Sequence, residues 1–327
     1  MLRMPEFRYH HPKSPEEAVA LFHANPGAAY VAGGTDLLPN VKQGICSPTH
    51  LIGLSGLPKG RIELVDGWLR ICGGVRLVEL ANSDVVGELF GGLSKAASLI
   101  AGPQIRNMGT VGGNILLDTR CHFYNQTELW RRALGYCLKR EGEWCHVLGS
   151  PKSCVATQSS DLVPLVLALD GVIVMLGREG ERRLSARELF RFDGMDHLNI
   201  EEGELLVRVE LPVNGGSEAG GDLRTWYDKV RVRGSIDFPM VGVGIAGHFD
   251  GDTPNSLEIV VGAIGPKPKP LKGLDAFLGS PLDDEAINAI GALAYKQSRP
   301  QGSVPGDSKW RREMVRIEVE RGLAEIR

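Results

Sequence analysis

The chain has 327 residues, 43% of them hydrophobic, enough for two or three folded units with real cores. A formal net charge of −3 and the lack of any basic run argue against a nucleic-acid partner. No stretch approaches the ~18 apolar residues of a spanning helix, and the polar stretch Met1 to Pro12 has no apolar signal core, so the expected setting is cytoplasmic and free of membrane.

Ser14-Pro15-Glu16-Glu17 predicts a helix start, with a capping box and proline at the first helical position. Val19, Leu21 and Phe22 give that helix an apolar side before Asn25-Pro26-Gly27 ends it. A short strand follows from Ala28 to Ala32 and runs into Gly33-Gly34-Thr35-Asp36-Leu37. Two glycines there permit a sharp turn that exposes N–H groups, with Thr35 placed to cap a short helix ending near Gly44. This is a candidate phosphate cradle, although a plain strand–turn–helix connection has the same pattern and neither dinucleotide fingerprint nor P-loop is present. Strand-like runs at 61–65 and 68–72 flank Asp66-Gly67, a strong hairpin signal. Cys72 falls in the return strand as a small packing residue, and Cys46 sits in a loop without a visible partner. A helical stretch around Leu93 to Ile100 leads to Thr110-Val111-Gly112-Gly113-Asn114, a second Gly-Gly that follows a helix and has Thr110 and Asn114 as polar arms.

The remaining four cysteines come next, Cys121, Cys137, Cys145 and Cys154, spaced C-x15-C, C-x7-C and C-x8-C. None of these pairs has the C-x2-C knuckle of most structural zinc sites. Wide spacing suits a cubane iron–sulfur cluster at least as well, because the cluster needs four sulfurs that meet in space. A reducing compartment disfavours disulfides, which leaves metal, cluster or free thiols. Arg131, Arg132, Lys139 and Arg140 crowd the same window, with Phe123, Tyr124, Trp130 and Trp144. Such cations would offset thiolate charge, or they are a solvated face; His122 and His146 are spare ligands, or packing groups.

Ser160-Asp161-Leu162-Val163-Pro164 opens an apolar helical run to Asp170-Gly171. A hairpin over Val172–Leu176 and Arg182–Leu184, a capping box at Ser185–Glu188 and a strand from Leu205 to Leu211 complete this region. The segment Asn214 to Gly221 reads as a linker. Beyond it, strands at 226–233, 240–249 and 257–264 and helices at 283–297 and 309–326 predict a separate α+β unit.

Val31-Ala32-Gly33-Gly34-Thr35-Asp36-Leu37, Thr110-Val111-Gly112-Gly113-Asn114 and Ser160-Asp161-Leu162-Val163-Pro164 together resemble the FAD-binding subunits of the molybdenum hydroxylase (xanthine dehydrogenase) family. The likeness spans the chain, through Glu204-Leu205-Leu206, Trp226-Tyr227-Asp228-Lys229 with Asp237 downstream, and the closing Ser-x-x-x-x-Ser-Lys-Trp-Arg-Arg. Trp310 replaces the family's common tyrosine and is given no role. In the family the Ser-Asp pair follows the second Gly-Gly closely, whereas Asn114 to Asp161 here spans 47 positions. The extra segment, about 117–156, is the cysteine window. It is similar to the insertion of 4-hydroxybenzoyl-CoA reductase flavin subunits, which carries an additional [4Fe-4S] cluster.

The resemblance implies an α+β chain: a two-part FAD-binding domain of the xanthine dehydrogenase/vanillyl-alcohol-oxidase-like type (1–57 and 58–214), then a smaller α+β C-terminal domain (222–327). It implies FAD held by Tyr30, Val31, Ala32, Gly33, Gly34, Thr35, Asp36 and Leu37 around the pyrophosphate. Thr110, Val111, Gly112, Gly113 and Asn114 would serve the diphosphate and ribityl chain, Asp161 a cofactor hydroxyl or amine, Lys229 the flavin edge, and Ile100 and Leu206 apolar contacts. Cys121, Cys137, Cys145 and Cys154 would ligate the cluster. The chain would be an electron-transfer subunit with no catalytic residue of its own, working with a molybdopterin-binding large subunit and a [2Fe-2S] small subunit in a dimer of heterotrimers. An external low-potential carrier such as ferredoxin would exchange electrons with it, and 4-hydroxybenzoyl-CoA would be dehydroxylated on the large subunit. Three alternatives stay open: a subunit of another hydroxylase acting on N-heteroaromatics or aldehydes, a zinc-stapled docking module on a flavin-binding scaffold, and a free-standing flavin oxidase or reductase. No nicotinamide fingerprint supports the last.

Overall fold

The computed structural model describes residues 3–58 and 60–327, so the first two positions of the polar N-terminal stretch lie outside the described residues. Three sheets organise the chain. The first is parallel, with β1 (Arg8–His10), β2 (Ala28–Val31) and β3 (His50–Gly53) in the order β1-β3-β2. Parallel strands require crossovers: the helix Pro15–Ala24 carries the chain from β1 to β2, and the helix Leu37–Lys42 lies in the return to the paired β3. The capping of Pro15–Ala24 differs by one residue from the predicted box. The Ser14 hydroxyl accepts from Glu17 N at 3.1 Å, but the Glu17 carboxylate accepts from Lys13 N at 2.7 Å. Ala18 and Val19 of this helix pack with Ile52, Leu176 and Leu205, which fastens the first sheet to the second.

The second sheet is antiparallel, with β4 (Ile62–Val65), β5 (Trp68–Cys72), β6 (Val172–Gly177), β7 (Gly180–Ser185) and β8 (Leu205–Pro212) in the order β4-β5-β8-β6-β7. Asp66 and Gly67 at φ 51° and 77° make the expected hairpin turn. Helices Gly91–Leu99 and Val163–Ala168 cover one face, and Leu69, Ile71, Leu93, Val166, Ile173 and Val209 form part of the largest core. Short helices Leu77–Ala81, Asp84–Leu89 and Pro103–Arg106 lie between, too short for an apolar repeat to mark them in the sequence.

The third sheet is also antiparallel, with β9 (Asp222–Val230), β10 (Val241–Asp250), β11 (Thr253–Gly262) and the two-residue β12 (Lys269–Pro270) in the order β12-β11-β10-β9. Helices Asp284–Gln297 and Ser308–Ile326 close one face, burying Ile245, Ile259, Ile290 and Val319. The other face meets the helix Val163–Ala168: a Cβ on Gly244 would stand 2.9 Å from the Pro164 backbone. The result is a two-domain mixed α/β fold with a smaller C-terminal domain. Among the described residues no helix is long and apolar enough to cross a membrane.

Candidate functional site

β2 ends at Val31, and the chain turns through Gly33 and Gly34, the latter at φ 69°. The N–H groups of Gly33, Gly34, Thr35 and Asp36 meet no acceptor among the described residues, a row of donors suited to an anion. Thr35 does not cap the next helix. Asp36 holds the N-cap position of Leu37–Lys42 and makes no side-chain cap bond, because its carboxylate is taken by Asn40 Nδ2 and Arg120 Nη1, both at 3.0 Å. Burial pushes the Asp36 carboxyl up, against the pull of Arg120. Gly33 is required by a close approach, since its Cβ would fall 2.0 Å from Met108 O. The two glycine-rich segments therefore meet backbone to backbone. Tyr30 turns away: its hydroxyl donates to Gly203 O at 2.7 Å and its ring stacks on Phe22.

The second Gly-Gly does open a short helix, Val111–Ile115, contrary to the reading that it only follows one. Thr110 is the N-cap and its Oγ1 accepts from Gly113 N at 3.2 Å. Val111 N and Gly112 N donate to Val75 O and Gly73 O, so this segment has few free N–H groups. What it presents is the bare, exposed Gly113. Asn114 Oδ1 accepts from Ser160 Oγ at 2.6 Å, which joins this helix to the Ser160-Asp161 segment. Asp161 is buried and holds both Tyr227 Oη and Lys229 Nζ at 2.8 Å. Complete burial pushes its carboxyl up, and Lys229 opposes the shift. The Asp161–Lys229 pair ties the two domains together, and Lys229 Nζ also donates to Asp237 O of its own domain at 3.1 Å. Ile100 and Leu206 are buried, and the Leu206 carbonyl presses on Gly73.

All four clustered cysteines are buried and line one cavity with Phe123, Tyr124, Lys139 and His146. Tight turns hold them. Arg140 N and Gly142 N donate to Cys137 O, and Cys145 N donates to Ser150 O while Gly149 N returns to Cys145 O. Ala156 N donates to Cys154 Sγ at 3.4 Å. Burial pushes the Cys121 and Cys154 thiols up to about 11, so a cation entering this cavity must displace protons. All six cysteines are free, and among the described residues no three His, Cys, Asp or Glu side chains are arranged to hold a metal ion. His146 Nε2 lies 2.6 Å from Tyr136 O, and His122 does not line the cavity.

The basic residues of the window do not share one solvated face. Arg131 is 1% exposed, with Nη2 on Gly44 O and Glu128 Oε2, both at 2.8 Å, and the Lys139 side chain is 7% exposed. Arg132 alone among these is largely in solvent, at 67%. The helix Glu128–Ala133, unread in the sequence, presents Arg131 inward.

Residues 5–214 match the family described as the FAD binding domain in molybdopterin dehydrogenase, and residues 226–326 match the CO dehydrogenase flavoprotein C-terminal domain. The chain belongs to the FAD-binding subunits of the molybdopterin-dependent dehydrogenases. This FAD subunit is 34% identical over 285 residues to the aldehyde oxidoreductase FAD-binding subunit PaoB of Escherichia coli K12, covering 84% of this chain and 86% of that one. It is 27% identical to the carbon monoxide dehydrogenase medium chain of Hydrogenophaga pseudoflava, with 98% and 96% covered. The solved structure of that organism's carbon monoxide dehydrogenase lacking the Mo-pyranopterin moiety matches at a TM-score of 0.77 and 26% identity, over 98% of this chain and 97% of that one. The FAD subunit is thus part of a multi-subunit, molybdenum-dependent oxidoreductase.

Sequence reasoning missed the residue that joins the two halves of its site. Arg120 stands beside Cys121, exchanges backbone hydrogen bonds with Thr157 at 2.8 and 2.7 Å, and reaches Asp36 of the glycine turn. Its guanidinium lies 4.1 Å from the Phe238 ring, so it also touches the C-terminal domain. Adjacency to Cys121 was the one available signal.

Proposed function

We propose that the FAD subunit relays electrons through FAD at the paired glycine segments and a [4Fe-4S] cluster on Cys121, Cys137, Cys145 and Cys154. The observation that carries this reading is the convergence of four buried cysteines, distant in sequence, on one cavity. A single zinc with Zn–S near 2.3 Å needs its sulfurs about 3.8 Å apart. Cubane ligands each bind a different iron and stand farther apart, a demand that four cysteines from separate turns around one cavity suit. When bound, FAD exchanges one or two electrons and the cluster one, which supplies a relay between an external carrier and the rest of the complex.

The chain's own residues bind and orient. Free N–H groups at Gly33 to Asp36 would meet the pyrophosphate, with the Tyr30 main chain, Val31, Ala32 and Leu37 framing them while the Tyr30 ring points away. Gly113 would let the cofactor lie against the main chain, and the Thr110 hydroxyl and Asn114 Nδ2 keep donors for it, while Val111 and Gly112 support the turn. Asp161 and Lys229 would brace the flavin wall as a pair, and Ile100 and Leu206 would line it. The chain has only Cys46 and Cys72 besides the four, so [2Fe-2S] centres and molybdopterin belong to partner subunits in a dimer of heterotrimers. A ferredoxin-like carrier fits as the external partner.

Two substrates divide the readings. The cysteine insertion supports 4-hydroxybenzoyl-CoA reduction on the large subunit, and the 34% identity to an aldehyde oxidoreductase subunit supports aldehyde oxidation. Counting iron, sulfide, zinc and flavin on anaerobically purified complex tests the relay. About one zinc and no sulfide per chain would overturn it. Turnover of that complex with aldehydes against reduced-carrier turnover with 4-hydroxybenzoyl-CoA decides the substrate.

A further inference from the structure

Lys139 is the one lysine or arginine among the residues lining the cysteine cavity. Its ammonium is locked in place by Asp118 Oδ1 at 2.6 Å, Thr119 Oγ1 at 2.5 Å and Gly194 O at 3.0 Å, so all three N–H donors are used. It also lies 4.7 Å from the ring of Tyr124, another cavity residue. Thr119 is fully buried and donates its own hydroxyl to Gly194 O, so the cradle around the ammonium is rigid. Gly194 closes the same wall: its N–H donates to Cys154 O at 2.9 Å, and a Cβ there would stand 2.8 Å from Cys154 Sγ.

We propose that Lys139 is a positioning residue for charge, which raises the reduction potential of the centre held by the four cysteines, while Asp118 moderates that effect. The inference rests on the cluster reading above. Reduction adds one electron and one negative charge to the centre, and a fixed cation beside it favours the reduced form. Burial decides the magnitude, because a charge withdrawn from water acts through a low effective dielectric and escapes salt screening. Arg132 is largely solvated, and Arg140 is about a third exposed (34%) and does not line the cavity, so neither has that leverage. Asp118 is the one carboxylate on the ammonium, with His197 Nδ1 4.0 Å from its Oδ1, so removing the Asp118 charge should expose more of the lysine's field.

The test is an anaerobic redox titration of the intact complex with dithionite, followed by the cluster's electron paramagnetic resonance signal, with iron and sulfide counted in each variant. Lys139→Met should lower the midpoint by at least a tenfold change in the reduction equilibrium, about 59 mV for one electron. Lys139→Arg should stay near wild type, Asp118→Asn should move it upward, and Arg132→Gln should leave it in place. Wild-type iron and sulfide in Lys139→Met with an unmoved or raised midpoint overturns the inference alone. If Lys139→Met fails to load, Asp118→Asn decides, and an unmoved midpoint there is equally fatal. Absence of iron and sulfide from the wild-type complex overturns the cluster reading, and this inference with it.

Discussion

Replacing Gly113 separates cofactor binding from folding, which few positions in the cradle allow. Gly113 is exposed in the first turn of Val111–Ile115, and a Cβ there would meet only Thr110 Oγ1, at 3.1 Å. A helical glycine costs about 0.5–1 kcal/mol relative to alanine, and a hydroxyl can shift by a few tenths of an ångström, so Gly113→Ala should leave apo-protein stability unchanged or raised by up to ~1 kcal/mol. In a domain of this size that is at most ~2–4 °C in melting temperature. Gly113→Val places two methyl groups where the cofactor would approach the main chain. It should weaken FAD at least tenfold, ~1.4 kcal/mol, within the ~1–3 kcal/mol typical of overpacking. The contrast is Gly33→Ala, whose Cβ would lie 2.0 Å from Met108 O and 2.4 Å from Met108 C, both backbone atoms that cannot yield without parting the two segments. That variant should lose stability and FAD together. FAD fluorescence titration of apo-protein, beside thermal unfolding without FAD, measures both quantities. Wild-type FAD affinity in Gly113→Val would refute the placement of the cofactor against this helix.

Cys137→Ser should cost iron and sulfide while flavin stays bound, as read by metal analysis and the flavin bands; simultaneous loss of flavin would make the window part of the flavin scaffold. Arg120→Met should weaken FAD by freeing Asp36 from its 3.0 Å partner, with iron content unchanged; unaltered FAD affinity would remove Asp36 from the cradle. Glu210 is 1% exposed among Arg70, Arg183 and Arg208; burial alone would push its carboxyl up, but the hydrogen bonds of Arg183 and Arg208 prevail and hold it below the usual range. With a depressed folded-state pKa, its stabilisation is complete above the usual carboxylate range near 4.3 and fades as pH falls through the folded value. Glu210→Gln should therefore melt lower than wild type at pH 7 by ~1–2 kcal/mol, discounted for the partly exposed arginines, and the two curves should converge toward pH 3; a constant gap would refute the linkage.

Local signals were legible wherever one residue type forces one geometry. Asp66-Gly67 demanded a hairpin turn, Ser14-Pro15 a helix start, and Gly33-Gly34 a turn with free N–H groups, and each is present. Thr35 misled because its neighbour Asp36 is drawn into a pair with Arg120, 84 residues away, which no local pattern encodes. The second Gly-Gly misled because glycine's poor helix propensity is overridden by the Thr110 cap and the backbone bonds to Gly73 and Val75. Arg131 and Lys139 look like surface residues by type. Their burial depends on carbonyls at Gly44 and Gly194, which only the folded chain brings near.

These buried cations also explain why the cysteine insertion is not a loose appendage. An inserted segment between the second Gly-Gly and the Ser160-Asp161 motif has closed ends, yet its tip would wander unless anchored elsewhere. Arg131 fixes one side to the Gly44 carbonyl behind the first glycine turn, and Arg120 fixes the root to Asp36 in that turn. The C-terminal domain supplies the third point, where Ser303 O accepts from His122 N at 2.9 Å and Ser303 Oγ meets Thr157 Oγ1 at 2.5 Å. Three anchors on separate parts of the chain define the position of the cysteine cavity relative to the flavin cradle. Electron transfer falls steeply with distance, so a relay needs such a fixed separation. The three anchors meet that requirement for the proposed relay.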